Sequence, residues 1–119
     1  VNVGSGTIAP RVWKGAHNWV EKDPTNKTIS VYGIMGRTGD VQGKRKKITE
    51  KAGLALGDYG LFRSSVPFYL EDPHWEYMDR CDAPCPFPSH PYYDRKAWDW
   101  LVKNLSNLPK PVLFWNIGH

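Results

Sequence analysis

Between Pro67 and Trp100 the chain places nine of its sixteen Phe, Tyr and Trp residues and six of its ten prolines, interleaved with seven acids. Proline fixes its own φ and withholds a backbone donor. Rings at this density therefore cannot all line the inner face of a regular sheet or helix. A stretch of this kind suits a surface that it can lie along, where Tyr and Trp cover large areas at low entropic cost and keep a polar tip for hydrogen bonding. The pattern predicts an extended, aromatic- and proline-rich interaction segment over residues 67–93. Its candidate anchors, with neighbours further along the chain, are Trp75, Tyr77, Phe87, Tyr92, Trp98 and Trp115.

A chain of 119 residues has room for one modest core. Eleven glycines and ten prolines, with an apolar fraction carried heavily by Trp and Tyr, imply long irregular connections around it. The fold class expected is α+β or mostly irregular, with few short strands. No run approaches the ~20 apolar residues needed to cross a bilayer.

Residues 1–11 are small, polar and glycine-containing, the composition of an extended arm; residues 12–119 then form a single small domain. Trp13, His17 and Val20 fall at helical offsets, but Gly15 and Asp23-Pro24 limit that helix to two or three turns. The alternation of Ile29, Val31 and Gly33 against Thr28, Ser30 and Tyr32 predicts a strand at 28–34. Ile48, Ala52 and Ala55 share a face of a possible helix over 44–56, closed by Gly57. The clearest element is an amphipathic helix at 94–108. Trp98, Leu101, Leu105 and Leu108 make its stripe, widened by Ala97 and Val102, and Arg95, Lys96, Asp99 and Lys103 take the outer face. Asp94 suits its N-cap, with Tyr93 stapled to Trp98. The apolar run Val112 to Trp115 reads as a short strand or an anchor.

The net charge of +4 conceals an asymmetry: residues 37–51 carry six bases against two acids, and residues 71–100 three against seven. Arg37, Lys44, Arg45, Lys46 and Lys47 form a basic patch able to meet an acidic protein or the phosphates of nucleic acid, with Tyr32, Tyr59 and Phe62 available to stack on bases. The glycines of this region match neither phosphate-binding fingerprint. Lys44 is followed by Arg45 where a P-loop needs Ser or Thr, and Gly33, Gly36 and Gly39 are evenly spaced.

Cys81, Cys85 and His90 are the only ligand-like cluster. Their spacing lacks paired knuckles and leaves free thiols, a small disulfide or a metal loop open, so no metal is assigned. His17, His74, His90 and His119 could act as general bases, but no nucleophile stands in a recognisable setting. These observations predict no catalytic residues and no cofactor.

The run Pro88-Ser-His-Pro91 followed by Trp98-Asp-Trp-Leu-Val-Lys-Asn-Leu105 resembles the C-terminal tail of small accessory subunits of mitochondrial NADH dehydrogenase. The resemblance implies a non-catalytic subunit draped over larger protein subunits of a respiratory complex, intracellular and mitochondrial, in peripheral contact with a membrane assembly. The alternative is a small basic RNA-binding protein or nuclease.

Overall fold

The structure, a computed structural model, describes residues 1–3, 8–22, 29–56, 61–62 and 66–116. Thr28, Tyr59, His119 and the side chain of Phe62 lie outside the described residues. The fold is α+β. Three parallel strands, β1 (Asn2–Val3), β2 (Val31–Met35) and β5 (Phe68–Glu71), form a sheet in the order β1-β2-β5, and β3 (Ala55–Leu56) pairs antiparallel with β4 (Leu61–Phe62). Helices α1 (Ile8–Lys22), α2 (Val41–Lys51) and α3 (Asp94–Asn104) complete it, the last continuing as a 3-10 turn over Leu105–Asn107. Among the described residues no helix is long and apolar enough to cross a membrane.

β2 is the spine of the sheet. Asn2 pairs with Ile34 and Val3 with Met35 on one side, and Val31 to Ile34 pair with Phe68 to Glu71 on the other. A central parallel strand is covered on both faces, and along β2 all but Tyr32 are buried. Side chains alternate between faces. Val31 and Met35 join the main core with Trp13 of α1, Ile48 of α2, Val3, Phe68 and Leu70. Tyr32, on the opposite face, meets the ring of Trp100 from α3 at 5.8 Å. Gly33 admits no side chain, because a Cβ there would lie 2.6 Å from Phe68 Cζ and 2.8 Å from Val3 Cγ2.

Several expectations change here. Among the described N-terminal residues, Asn2–Val3 form an edge strand with Val3 buried, and Ile8 begins α1. That helix reaches 15 residues because Pro10 sits in its first turn, where a missing N–H costs nothing, and because Gly15 is exposed with open space around it. The strand predicted at 28–34 is Val31–Met35. The helix predicted at 44–56 starts earlier, at Val41, since the Asp40 side chain accepts from Gly43 N–H and caps it. It ends at Lys51, with Gly53 at φ 71° in the turn beyond.

The helix predicted at 94–108 is present as α3 and the 3-10 turn, but its burial follows the predicted faces only in part. Its buried residues are Asp94, Lys96 and Ala97, while Val102 and Leu105 are exposed. Tyr93 occupies the N-cap position without a side-chain cap, and its ring pairs with His90 at 4.5 Å instead of stapling Trp98. Val112 to Trp115 form no strand; Phe114 packs on Phe87 and Trp98, at 5.6 and 5.3 Å between ring centroids.

Candidate functional site at the carboxyl edge of the sheet

Three parallel strands deliver their carboxyl ends to one edge, the place where open α/β sheets collect ligand-binding loops. At this edge β2 runs into the loop Gly36 to Asp40 and β5 into Asp72 to Trp75. The two loops are stitched together. Thr38 N–H donates to Trp75 O at 2.6 Å, and Thr38 Oγ1 donates to Asp72 Oδ2 at 2.7 Å.

Asp72 is the hub. Its side chain is only 7 % exposed, and it accepts from Thr38 Oγ1, from His74 N–H at 2.8 Å through Oδ1, and from the Gly39 backbone. Burial pushes its pKa up, but these hydrogen bonds to the charged form outweigh it and hold the carboxyl below the usual range. His74 stands two residues on with φ 67°, a left-handed conformation uncommon for a residue with a side chain. Its Nδ1 lies 3.3 Å from Thr38 Oγ1 and 3.7 Å from Asp72 Oδ2, and the imidazole is 80 % exposed. A buried carboxylate, a hydroxyl and an accessible imidazole in this order are the parts of an acid–base site.

Lys96 closes the other side of the edge. It is fully buried, and Nζ donates to Gly36 O at 2.9 Å and to Glu76 O at 3.2 Å, with the rings of Trp75 and Tyr92 at 5.4 and 6.0 Å. Burial lowers its pKa against the upward pull of Asp79. One ammonium thereby joins the β2–α2 loop, the segment after β5 and α3. Beside it Asn2 Oδ1 is buried with no hydrogen-bond partner, 3.0 Å from where a Cβ on Gly36 would sit. At the rim Arg37 lies over the Tyr77 ring at 5.4 Å, both exposed.

The residues singled out in the sequence are distributed as follows. Trp75, Tyr77 and Tyr92 line this edge. Phe87 and Trp98 pack on one another edge to face at 4.9 Å, and Trp115 is exposed. Of the basic patch, Arg37 is at the rim, whereas Lys44 to Lys47 ride on α2, where Arg45 donates to Phe68 O at 2.8 Å. Cys81 is buried with Sγ 3.6 Å from Arg95 O, Cys85 is a separate free thiol, and His90 Nδ1 accepts from Tyr92 N–H. No group of three His, Cys, Asp or Glu among the described residues is placed to hold a metal ion. Sequence reasoning missed Thr38, Asp72 and Lys96. The signal for the first two was His74 itself, flanked by acids that read as an ordinary turn.

No family model matches the chain, and no solved structure matches it. Among curated proteins it is 37% identical over 123 residues to one from Pseudomonas phage M6 named a glycyl-dTMP PLP-dependent decarboxylase, an alignment covering 99% of this chain. The chain spans 40% of the length of that relative. This similarity overturns the reading as a non-catalytic accessory subunit, and with it the mitochondrial and respiratory placement. The tail resemblance touched residues 88–105 alone, whereas an enzyme of a bacteriophage aligns with nearly the whole chain. The RNA-binding or nuclease alternative gains nothing from it either.

Proposed function

We propose that the chain acts in an enzyme that removes the carboxylate of an amino acid carried on a thymidine nucleotide, the reaction named for its phage relative. The observation that carries this is the 37% identity sustained over 99% of the chain. The carboxyl edge of the sheet supports it chemically. The exposed Arg37 guanidinium over the Tyr77 ring offers a cation for phosphate and an aromatic face for a pyrimidine. His74, Thr38 and Asp72 beside it offer proton transfer.

The relative's name includes pyridoxal phosphate. The described residues do not by themselves make a site for it. Lys96, the one fully buried lysine among them, has Nζ bonded to two carbonyl oxygens and walled by Trp75 and Tyr92. The N-terminus of α2, where a phosphate would find free N–H groups, is occupied by the Asp40 carboxylate. The contribution argued for this stretch is therefore substrate binding and proton handling.

The test is direct: the chain is incubated with glycyl-dTMP and pyridoxal phosphate, with the phage relative assayed in parallel, and CO2 release is followed together with the mass of the nucleotide product. Turnover by this chain, lost in Arg37→Ala through a raised KM, is the expected result. No turnover by this chain where the relative is active would overturn the reading.

A further inference from the structure

We propose that His74 is the proton carrier of this edge, with Nε2 the atom that exchanges a proton with substrate and with Thr38 and Asp72 as its positioning residues. The substrate half of the inference rests on the decarboxylase reading; the state of the ring rests on geometry alone.

A threonine hydroxyl has one proton and two lone pairs. Thr38 Oγ1 has two neighbours, Asp72 Oδ2 at 2.7 Å and His74 Nδ1 at 3.3 Å. Asp72 is an ionised, acceptor-only carboxylate, so the shorter contact takes the hydroxyl proton. Oγ1 then faces the imidazole with a lone pair, and the contact is satisfied only if Nδ1 carries a proton. The neutral ring is therefore held as the Nδ1–H tautomer, and Nε2 is left as its acceptor nitrogen. The backbone enforces the same arrangement. His74 sits at φ 67°, a strained conformation that persists only where its surroundings impose it. Here the restraint is the His74 N–H bond to Asp72 Oδ1. The ring itself makes few contacts and leaves Nε2 open at the edge where substrate would lie.

Any decarboxylation replaces a carboxylate by hydrogen. The bond between the carboxylate carbon and its neighbour breaks, CO2 leaves, the bonding pair remains with the neighbouring carbon, and that carbon takes a proton. Imidazolium Nε2–H supplies the proton; the neutral ring, still protonated on Nδ1, takes one back from water. The buried Asp72 charge, relayed through Thr38, keeps the ring in that one orientation across both states.

The experiment has two arms. In the 15N-labelled chain, long-range proton–nitrogen correlations of His74 are expected to show neutral ring protonated on Nδ1, with loss of that preference in Thr38→Val and its retention in Thr38→Ser. A neutral His74 protonated on Nε2 in the wild type overturns the positioning. In turnover of glycyl-dTMP, His74→Asn is expected to lower kcat about 100- to 10,000-fold with KM little changed. A His74→Asn variant keeping most of the wild-type kcat overturns the role. Absence of turnover by the wild type, with the Nδ1–H tautomer present, overturns the decarboxylase reading and the substrate half of this proposal, while the ring assignment stands.

Discussion

Helices α1 and α3 lie on opposite faces of the same small sheet and differ in how closely their burial follows their apolar pattern. α1 carries a proline and a glycine, yet Ile8, Ala9, Val12, Trp13, Ala16 and Val20 recur at helical spacing, and Trp13 is completely buried, stacks on Phe68 at 5.1 Å and donates its indole N–H to Val66 O at 2.8 Å. α3 carries an apolar stripe too, yet it buries a lysine and an aspartate and leaves Val102 56 % exposed. An apolar pattern reports what a helix can bury; the loops that meet it decide what it does bury. On the α1 face the neighbours are apolar side chains. On the α3 face they include the carbonyls of Gly36 and Glu76, and a buried carbonyl without a donor is expensive enough to draw Lys96 inward.

The comparison breaks most visibly at its centre on the α1 face. Trp13→Ala should cost about 3–5 kcal/mol of stability, since it opens a large cavity and removes the indole N–H bond to Val66 O. Chemical denaturation followed by far-ultraviolet circular dichroism would register it. A loss under about 1 kcal/mol would show that α1 is not the anchor of the core.

On the α3 face, Lys96→Met should cost less, about 1–3 kcal/mol at neutral pH, from the buried Gly36 carbonyl left without its lysine donor and from the bond lost at Glu76 O, which keeps Asp79 N–H. It should also change the alkaline limb. Because burial lowers the Lys96 pKa in the folded state, the unfolded chain binds more protons just below the ordinary lysine value, so wild-type stability gains from this group as pH rises through that range. Lys96→Met should lose the gain. Parallel unfolding curves for the two proteins across the alkaline range would refute the buried placement of the amine.

These two faces also show how far the sequence is readable. Period-2 alternation located β2 and period-3.6 spacing located α3, because both signals come from neighbours along the chain. The parallel pairing of β1 was invisible: two residues, Asn2 and Val3, carry no periodicity, and their strand exists only because β2 offers an edge. The carboxyl edge was invisible for a related reason. Thr38 and Asp72 are 34 residues apart, and His74 and Thr38 are 36 apart. Only the parallel register of β2 and β5 sets their loops side by side. The aromatic density of residues 67–100 was legible as a feature but not in its use. Phe87 serves Trp98 and Phe114, and Trp75 and Tyr92 flank Lys96, so much of it covers this molecule's own irregular chain.

Asp72 gives a smaller effect, confined to acid. Its folded pKa is depressed, so it contributes stability that is present above the ordinary carboxylate range and lost as pH falls through the lower folded value. Asp72→Asn should therefore be less stable than wild type near neutrality, by about 1 kcal/mol for hydrogen bonds weakened by loss of charge. The two should converge in acid. Denaturant midpoints measured down a pH series would show the convergence; a constant gap at every pH would mean that Asp72 is not charged in its hydrogen-bonded setting.

The smallest expected effect is the sharpest test of that difference between the helices. Val102 belongs to the stripe that the sequence assigns to the core, whereas in the structure it faces outward on α3. Val102→Ser exchanges a β-branched residue for one of similar helix propensity, so little but burial distinguishes the outcomes. A buried valine replaced by serine would lose its transfer energy and leave a hydroxyl to satisfy, a cost above about 1.5 kcal/mol. An exposed one should change stability by less than about 0.5 kcal/mol. Lys96→Met and Val102→Ser thus exchange the ranking that the amphipathic pattern predicts: the charged residue matters to folding and the apolar one does not. Should Val102→Ser instead cost more than Lys96→Met, α3 packs by its apolar stripe, and the clamp that joins Gly36 to Glu76 must be discarded with it.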